Sequence, residues 1–291
     1  MTVSPRLSIG MPIYNGENFL AQTMDTLLGQ TYTDFELIIC DNASTDETGA
    51  LCRAYAEQDA RIHYVRLEEN IGAAANFNLC FELARGEYFK WAAHDDLLAP
   101  TYLEKCVEVL DREPDVVVAY SRAKAIDAEG NVTKVYPAKR RSASPHARHR
   151  FYEFSLDVYP MLAVFGVMRR SALARTRLIG KYNASDVPLL SELSLMGRMV
   201  EIPEFLFFYR RHEDQSWAAN RTAGTRAQWF DPAHRGNFTF PHWRLLREHI
   251  RSIERVSIPL PDRIACYLFM GYWMRRKWRM LAGNLILREK I

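Results

Sequence analysis

The chain of 291 residues is 48% hydrophobic and 25% charged, so it can bury a sizeable core in one large domain or two small ones. Its formal net charge of +3 is nearly neutral for this length. Such a balance gives no general indication of nucleic-acid binding, and we expect no nucleic-acid partner.

The cysteines and the apolar segments point to a reducing compartment. Five cysteines are spread along the chain without a CxxC pair, which favours buried, reduced thiols over a zinc site. The first residues lack the basic and apolar regions of a signal peptide. The longest uncharged apolar run, residues 264–274, is short of the roughly 20 residues that a membrane-spanning helix needs. We therefore expect a cytoplasmic protein, with peripheral contact at the inner face of the membrane left open.

The first 120 residues alternate strand-like segments with segments of helical spacing. Strands are predicted at residues 7–13, 35–40, 62–67, 87–93 and 116–120. The first helix is predicted over residues 15–30, with Asn15 as its cap. Helical crossovers of this length connect parallel strands. The sequence therefore predicts an α/β fold whose ligands bind beyond the carboxyl ends of a mainly parallel sheet.

Polar residues follow three of these strands: Pro12, Tyr14 and Asn15 at the first, Asp41 and Asn42 at the second, and His94, Asp95 and Asp96 at the fourth. Neither a glycine-rich dinucleotide fingerprint nor a P-loop is present, so phosphate charge must be neutralised in another way. Adjacent carboxylates at a strand end can hold Mg²⁺ or Mn²⁺, and the metal can carry a diphosphate. Spacing alone leaves an alternative open, in which the acidic pair only caps the helix that starts near Pro100.

The second half of the chain is less regular. Residues 139–150 contain five Lys/Arg and no acid, which predicts a mobile basic loop. Residues 185–198 predict a helix that begins near Asp186, and residues 199–216 predict a strand that leads into a charged loop. From about residue 240 the chain is aromatic, basic and helical in pattern.

Several spaced motifs occur in order: LSIGMPIYNGENFLAQTMDTLLGQTYTDFELIICDNASTDET, NIGAAANFN and GEYFKWAAHDDLLAP. Together they resemble family 2 glycosyltransferases of the GT-A fold through roughly the first 115 residues. The similarity resumes more weakly at ASDVPLLSELSLMGR and FLFFYRRHEDQS and does not cover the last 50 or so residues. The resemblance implies a Rossmann-like, mainly parallel sheet flanked by helices, with a C-terminal helical extension.

The resemblance also implies the nucleotide contacts. Pro12 and Tyr14 would line the base pocket, Asp41 would hydrogen-bond the nucleobase, and Asp95 would lie near the ribose and diphosphate. Where many relatives have an acid before the pair, this chain has His94, which leaves the choice of metal open.

For the cofactor, the resemblance implies Mn²⁺ or Mg²⁺, with Asp96 as the direct ligand. His212 matches a histidine that reaches the metal or the diphosphate, although a lone histidine on a polar loop is more often exposed. Arg210 or Arg211 would neutralise phosphate or would be surface charges.

Catalysis is implied at Asp186, which matches the acceptor-activating base of inverting members. The residues alone favour Asp186 as a helix N-cap, and only the resemblance makes it the base. Glu192, two turns further along the helix, is the second candidate and is expected to face solvent or an acceptor.

The tail combines tryptophans with basic residues. Residues 244–291 contain eleven Lys/Arg and four Asp/Glu, and Trp273 and Trp278 flank the basic residues of the MRRKWRM segment, residues 274–280. Such a helix can lie on an anionic membrane surface through residues 264–280. The alternative is that it packs on the catalytic domain or on a second subunit.

The interpretation is a metal-dependent, inverting glycosyltransferase that acts on a nucleoside-diphosphate sugar, with UDP as the expected nucleotide and a glycan or lipid-linked acceptor. Residues 1–120 would form the nucleotide-sugar half, residues 121–239 the acceptor half, and residues 240–291 the extension. Two rivals stay open: a homologue that only binds the nucleotide sugar, and a sugar-phosphate nucleotidyltransferase, which would need a glycine-rich phosphate loop.

Overall fold

One mixed sheet organises the chain. The computed structural model describes residues 4–139, 141–156, 161–213, 215, 223–233 and 240–286. The strands within these ranges are β1 (Leu7–Ile13), β2 (Phe35–Asp41), β3 (Ile62–Arg66), β4 (Tyr88–Trp91), β5 (Leu97–Leu98), β6 (Val116–Ile126), β7 (Val132–Val135), β8 (Val167–Arg169) and β9 (Arg198–Arg210). They join in the order β3-β2-β1-β4-β8-β6-β9-β5, and β7 pairs with β6.

The sheet is parallel over its first four strands, β3, β2, β1 and β4. Strand β8 pairs antiparallel with both β4 and β6, and β9 lies parallel to β6 and antiparallel to β5. The predicted α/β class with a mainly parallel sheet is confirmed. The antiparallel insertions were not predicted, because strands of two or three residues carry too little periodicity.

Helices cover both faces of this sheet and continue beyond it. They are α1 (Leu20–Leu28), α2 (Thr48–Gln58), α3 (Ala73–Glu82), α4 (Tyr102–Arg112), α5 (Ala147–Ser155), α6 (Arg170–Leu173), α7 (Asp186–Met196), α8 (Ala223–Phe230), α9 (Pro241–Arg255), α10 (Leu260–Arg276) and α11 (Trp278–Ile286). The last three form the predicted C-terminal helical extension.

Strand β2 shows how the core divides between the two faces. Leu37 and Ile39 belong to a cluster that includes α1, α2 and α4, whereas Ile38 and Cys40 belong to one that includes α3 and α7. Successive side chains of a strand point to opposite faces, so a strand covered on both sides is apolar throughout. This explains the apolar run of residues 37–40 within the predicted strand.

The first helix begins later than predicted. Helix α1 starts at Leu20, and Asn15 does not cap it. Asn15 adopts a positive φ of 50°, and its Oδ1 accepts a hydrogen bond of 2.8 Å from the backbone N–H of Thr45. The asparagine therefore joins two loops at the carboxyl edge of the sheet.

The predicted mobile basic loop is wrong for its last four residues, which begin α5. Arg150 is 5% exposed and donates hydrogen bonds of 2.7 Å to the carbonyl oxygens of Ser194 and Ser144. Buried guanidinium groups persist when carbonyls satisfy their donors. Arg140 lies outside the described residues.

The structure also shows the state of the cysteines and the apolar character of the helices. All five cysteines are buried and none forms a disulfide, so the expected burial is confirmed. None of the helices in the described ranges combines the length and apolar character that a membrane crossing requires.

Candidate active site

The carboxyl ends of β1, β2 and β4 lie side by side. Ile13 at the end of β1 is in register with Asp41, and Gly10 of β1 is in register with Trp91 of β4. The segments that follow these three strands therefore share one edge, as the sequence predicted.

Pro12 and Tyr14 lie on the part of this edge formed by β1. Pro12 is half-buried and pairs in register with Cys40, whereas Tyr14 is 43% exposed. An exposed aromatic ring beside a strand end can stack on a planar base. Their role as a base pocket stays a prediction.

Asp41 is fully buried at the end of β2. Its Oδ2 accepts hydrogen bonds from the Tyr64 hydroxyl at 2.7 Å and from Arg66 Nη1 at 2.8 Å, and Oδ1 accepts one from the Ser44 N–H at 2.8 Å. Burial acts to raise the pKa of Asp41, but these hydrogen bonds and the Arg66 charge hold the pKa below its usual value. The carboxylate is thus ionised and engaged inside the protein, and a contact with a nucleobase stays a prediction.

The sequence analysis missed Tyr64 and Arg66, the two partners from β3. They are two positions apart on one strand, so their side chains point to the same face. Arg66 is also in register with Asp41. The two-residue spacing of Tyr64 and Arg66 was visible in the sequence, but the strand register that brings their side chains beside Asp41 was not.

Asp95 and Asp96 lie between β4 and β5, and neither caps a helix. The N-cap of α4 is Thr101, and no side-chain cap bond is formed there. The helix-cap alternative is therefore wrong. The Thr23 hydroxyl of α1 lies 2.8 Å and 3.0 Å from the carbonyl oxygens of His94 and Asp96, which fixes the backbone of this segment.

The Asp95 carboxylate meets His212. Its Oδ2 lies 3.0 Å from His212 Nε2, and the two side chains are 9% and 6% exposed. His212 also packs on the ring of Phe19 at 4.7 Å between centroids. The alternative of an exposed histidine is wrong, although the loop beyond it, Asp214 and residues 216–222, lies outside the described residues.

Asp96 is enclosed more deeply. Its Oδ1 accepts a hydrogen bond of 3.0 Å from the backbone N–H of Arg210. Its Oδ2 is buried and has no hydrogen-bond partner among the described residues. Burial and the neighbouring charge of Asp95 raise the pKa of Asp96 well above its usual value. A cation near this oxygen would reverse that effect, since an opposite charge favours the ionised form.

Lys90 lies next to Asp96 at a cavity of about 10 Å³ and was not predicted. Its side chain is buried against the Tyr102 ring, and Nζ donates hydrogen bonds to the carbonyl oxygens of Trp91 and Phe165. Burial lowers the pKa of Lys90 to about 8. In the sequence it looked like a lone charge within an apolar strand.

Arg210 supports the acidic pair from β9. It is fully buried, and its guanidinium donates to the Asp95 carbonyl at 2.9 Å, the Ala128 carbonyl at 2.6 Å and Gln22 Oε1 at 2.7 Å. The surface-charge alternative for Arg210 is therefore wrong, and its contribution to phosphate neutralisation stays a prediction. No sequence signal distinguished it from its exposed neighbour Arg211.

His94 is half-buried and packs against the turn that follows β1. A Cβ atom placed at Gly16 would lie only 2.6 Å from His94 Cδ2, so the imidazole packs directly against this glycine. Burial lowers the pKa of His94. A close approach of this kind explains the glycine in the turn after β1.

The residues present fit a divalent cation. No group of three or more His, Cys, Asp or Glu side chains forms a ready metal cluster within the described ranges. The edge instead offers two adjacent carboxylates, an imidazole and the unpartnered Asp96 Oδ2. Carboxylate and imidazole ligands suit Mn²⁺, and carboxylates suit Mg²⁺, with substrate phosphates completing the coordination.

Asp186 lies on a different element, as the first residue of α7. The N-cap is Ser185, and no side-chain cap bond is present. A negative charge in the first turn is stabilised by the helix dipole. The Asp186 charge also acts on Tyr182, whose pKa is raised by burial and by the carboxylates of Glu248 and Asp186.

Glu192 does not face solvent, in contrast to the expectation. It is 2% exposed, and its Oε1 accepts a hydrogen bond of 2.9 Å from Arg255 Nε. The hydroxyl of Ser252 lies 3.3 Å from Oε2. These contacts attach α7 to α9, which makes Glu192 a structural carboxylate.

Comparisons with known structures show the fold. S. aureus TarS 1–349 in complex with UDP-GlcNAc superposes with a TM-score of 0.71 at 15% identity, covering 96% of this chain and 79% of that chain. Mannosyltransferase PcManGT from Pyrobaculum calidifontis, in complex with GDP-Man and Mn²⁺, gives a TM-score of 0.61 at 18% identity, covering 98% and 74%. The GT-A fold expected from the resemblance is confirmed.

Curated relatives match part of the chain. An uncharacterized glycosyltransferase of Rickettsia typhi is 30% identical over 163 residues, which is 55% of this chain and 48% of the relative. The putative glycosyltransferase EpsE of Bacillus subtilis is 39% identical over 113 residues, covering 38% and 41%. The chain thus spans about half the length of curated relatives that it matches.

The family model for glycosyl transferase family 2 matches residues 8–177, more than half of the chain. That range contains β1, β2 and β4, whose carboxyl ends form the edge with Asp41, Asp95 and Asp96. The chain therefore belongs to glycosyl transferase family 2.

Proposed function

We propose that the protein is a metal-dependent, inverting glycosyltransferase that moves a sugar from a nucleoside-diphosphate sugar to an acceptor hydroxyl. The contact of 3.0 Å between Asp95 and His212, beside the acidic Asp96, carries this proposal. It places two carboxylates and an imidazole at the strand ends where ligands bind in open α/β sheets. The glycosyltransferases named above, with complexes of UDP-GlcNAc and GDP-Man, support the substrate class.

On the donor side, Tyr14 and Pro12 would hold the base, with Asp41 behind them. UDP is the nucleotide that we propose, since complexes with UDP and UDP-GlcNAc exist for the TarS structures. When bound, Mn²⁺ or Mg²⁺ would neutralise charge that develops on the departing diphosphate. Asp95, Asp96 and His212 would hold this cation.

The contacts distinguish the two aspartates. Asp96 is enclosed by the Arg210 backbone and a small cavity, whereas Asp95 shares its carboxylate with His212. We therefore propose that Asp95 and His212 contact the cation from one side and that Asp96 contacts it through Oδ2, which is unpartnered among the described residues. The sequence analysis assigned the direct contact to Asp96, and this division stays a proposal.

On the acceptor side, Asp186 would act as the general base. The acceptor oxygen forms a bond to the anomeric carbon while the bond from that carbon to the diphosphate oxygen breaks. The hydroxyl proton passes to the Asp186 carboxylate, and the bonding pair leaves with the diphosphate. A single in-line displacement of this kind inverts the anomeric configuration.

The acceptor is proposed to be a glycan or a lipid-linked glycan of a surface polysaccharide. By this proposal residues 1–120 bind the donor, residues 121–239 bind the acceptor, and residues 240–291 form an accessory extension. The family match to residues 8–177 spans parts of both halves, which supports one shared catalytic unit.

Helix α10 supports membrane-surface contact through residues 264–280. Its inward face contains Cys266, Met270 and Trp273, which are at most 3% exposed. Its outward face exposes Leu260, Ile264, Tyr267, Leu268 and Tyr272, between 41% and 72% each. Exposed Trp278 and the basic residues 275–279 follow. An apolar face beside cationic residues suits an anionic lipid surface.

One inward residue corrects the prediction for the tail. Trp273 donates a hydrogen bond of 3.1 Å to the Ser155 carbonyl and is buried, so only Trp278 of the flanking pair reaches the surface. Packing on the catalytic domain therefore explains one face of α10. The outward face is left for a membrane, which we propose, or for a second subunit.

The proposal is tested by measuring UDP binding and UDP-sugar turnover with and without Mn²⁺. We expect Mn²⁺-dependent UDP binding, and release of UDP from a donor sugar, in the wild type and neither in Asp95→Asn. UDP binding without turnover in the presence of any tested acceptor would favour the non-catalytic homologue. Release of inorganic pyrophosphate from a sugar phosphate and UTP would instead identify a nucleotidyltransferase.

A further inference from the structure

A second concave site lies away from the acidic edge. A cavity of about 300 Å³ lies between α7, α9 and residues 177–182. Six cations line it: Arg177, Lys181, Arg244, Arg247, Arg251 and Arg255. The four from α9 are spaced at i, i+3, i+7 and i+11, which places them on one face of the helix.

Two glutamates in the same cavity are already engaged. Glu248 is 6% exposed and lies 3.1 Å from Arg251, 3.4 Å from Arg247 and 3.7 Å from Arg177. Glu192 is engaged by Arg255, as described above. One buried carboxylate thus gathers three arginines and cannot neutralise all of them.

The remaining cations add to this excess. Arg244 stacks on the Tyr182 ring, with its Cζ 4.2 Å from the ring centroid, and Lys181 lies 3.7 Å from Asp231. Six cations therefore line a cavity whose lining contains two carboxylates, Glu192 and Glu248. Asp231 and Asp186 lie near it, through Lys181 and Tyr182, so the positive charge still exceeds the negative charge. Arginine has five donors in a planar fork, so one carboxylate contact leaves donors that can bind a further oxyanion.

The cavity also adjoins the proposed catalytic base. Ser185 and Pro188, which flank Asp186 in the first turn of α7, both line it. A ligand held there by its charge would extend past the start of α7. A phosphate matches the guanidinium fork in bidentate geometry and carries the charge needed to balance the excess.

We propose that this basic pocket binds a phosphoryl group of the glycosyl acceptor. The identity of the ligand as an acceptor rests on the proposed function, whereas the binding of phosphate does not. The phosphate is carried either by a soluble glycan or by a lipid, and the chemistry recognised by the arginines is the same.

The first experiment uses inorganic pyrophosphate as the probe, titrated calorimetrically into the full chain in the presence of EDTA. We expect saturable binding that weakens at least about tenfold in Arg244→Gln/Arg247→Gln, because charge-assisted hydrogen bonds are lost. Arg275→Gln/Arg276→Gln removes the same charge from the exposed end of α10 and should keep wild-type affinity. Absent wild-type binding, or equal weakening in both pairs, would overturn the proposal.

The chosen substitutions leave Glu248 paired with Arg251, so the buried carboxylate keeps a partner. Thermal unfolding of each variant checks the fold. If the double variant unfolds, Arg244→Gln alone serves, because its described contact is to an aromatic ring. This single variant should also weaken pyrophosphate binding, and unchanged affinity would count against the pocket.

Two further measurements are needed. One distinguishes a lipid-borne from a soluble phosphate, and the other distinguishes failure of the pocket from failure of the proposed function. The first is cosedimentation with phosphatidylcholine vesicles that contain or lack phosphatidic acid, and the increment is the extra binding that phosphatidic acid causes. Loss of this phosphatidic-acid increment in the pocket variant identifies a lipid-borne phosphate. Pyrophosphate binding together with a phosphatidic-acid increment that is equal in the wild type and the pocket variant identifies a soluble phosphate. UDP binding with Mn²⁺ should be equal in the wild type and the pocket variant. Failure of UDP binding alone would refute the proposed function, whereas failure of pyrophosphate binding alone would refute the pocket.

Discussion

His212 Nε2 lies 3.0 Å from Asp95 Oδ2, although 117 positions separate the two residues along the chain. The contact exists because β9, a strand of the same sheet that lies between β6 and β5, ends beside the loop that follows β4. It links the part of the chain that carries the acidic pair to the loop after β9.

Replacing this histidine tests the link. His212→Ala should lower Mn²⁺-dependent transfer at least roughly 10- to 100-fold, since this is the loss when a group that only supports a metal ligand is removed, and His212 is proposed as a ligand itself. The apparent affinity for Mn²⁺ should fall with it. Steady-state rates across a Mn²⁺ titration measure both, and His63→Ala, whose side chain is 45% exposed on β3, is the matched control. Unchanged Mn²⁺ dependence would remove His212 from the proposed site.

Asp186→Asn tests the general base. The amide keeps the size of the side chain but cannot take the acceptor proton, so kcat should fall by about 10²- to 10⁴-fold. UDP binding with Mn²⁺ should stay at the wild-type level, because Asp186 lies on α7 rather than at the strand ends. Asp25→Asn on the exposed side of α1 is the control. Full transfer by Asp186→Asn would contradict the assignment.

Arg210→Gln should destabilise the protein strongly. The substitution leaves buried carbonyls and the Gln22 side chain without their donor, at a cost of roughly 3 kcal/mol or more. Arg211→Gln, one position later and exposed, should change the free energy of unfolding by less than about 0.5 kcal/mol. Urea unfolding of both variants measures the difference. Equal stability would mean that the buried guanidinium contributes no net stability.

Lys90 predicts a pH dependence of stability. Burial lowers its pKa from 10.5 to about 8, so the folded protein releases the proton before the unfolded chain does. Between these values the unfolded state binds more protons, and the free energy of unfolding therefore rises with pH. The rise should total up to roughly 3 kcal/mol, since one pKa unit corresponds to 1.36 kcal/mol.

The measurement compares urea unfolding of the wild type and Lys90→Met in EDTA over this pH range. The variant lacks the titrating group, so the stability difference, wild type minus variant, should increase as pH rises. A difference that stays constant would show that Lys90 titrates at the same pH in both states.

The outward face of α10 predicts membrane binding. Ile264→Ser/Leu268→Ser should weaken cosedimentation with phosphatidylglycerol vesicles at least about tenfold, because two buried aliphatic side chains are lost from the lipid contact. Val132→Ser/Val135→Ser on β7 removes side chains that are 52% and 53% exposed elsewhere and serves as the control. Vesicle binding that survives the α10 change, together with loss of a dimer in sedimentation velocity, would assign this face to a second copy.

The sequence predicted the sheet and its edge because apolar strands and intervening helices repeat regularly through the first half. The positions of Asp41, Asp95 and Asp96 after the second and fourth predicted strands were sufficient to place them on one edge of the sheet. The contribution of β8 was not predictable, since three residues that pair antiparallel carry no distinctive period.

The buried cations were missed for a different reason. Lys90, Arg150 and Arg210 have the same appearance in a sequence as solvated charges, and their burial depends on carbonyl groups supplied from distant positions. The basic pocket was missed likewise, since its helical spacing on α9 was visible but the opposing wall from residues 177–182 was not.

Strand β9 sets a limit on how this chain can change in length. It delivers buried Arg210 at its end and His212 two residues later, after pairing with both β6 and β5. Inserting or deleting one residue near its end would exchange the two faces of the last part of the strand, turning the guanidinium outward and withdrawing the imidazole. Homologues that fold should therefore vary in length in the loops around β9. The segment from the residues of β9 that pair with β5 to His212 should keep a constant length.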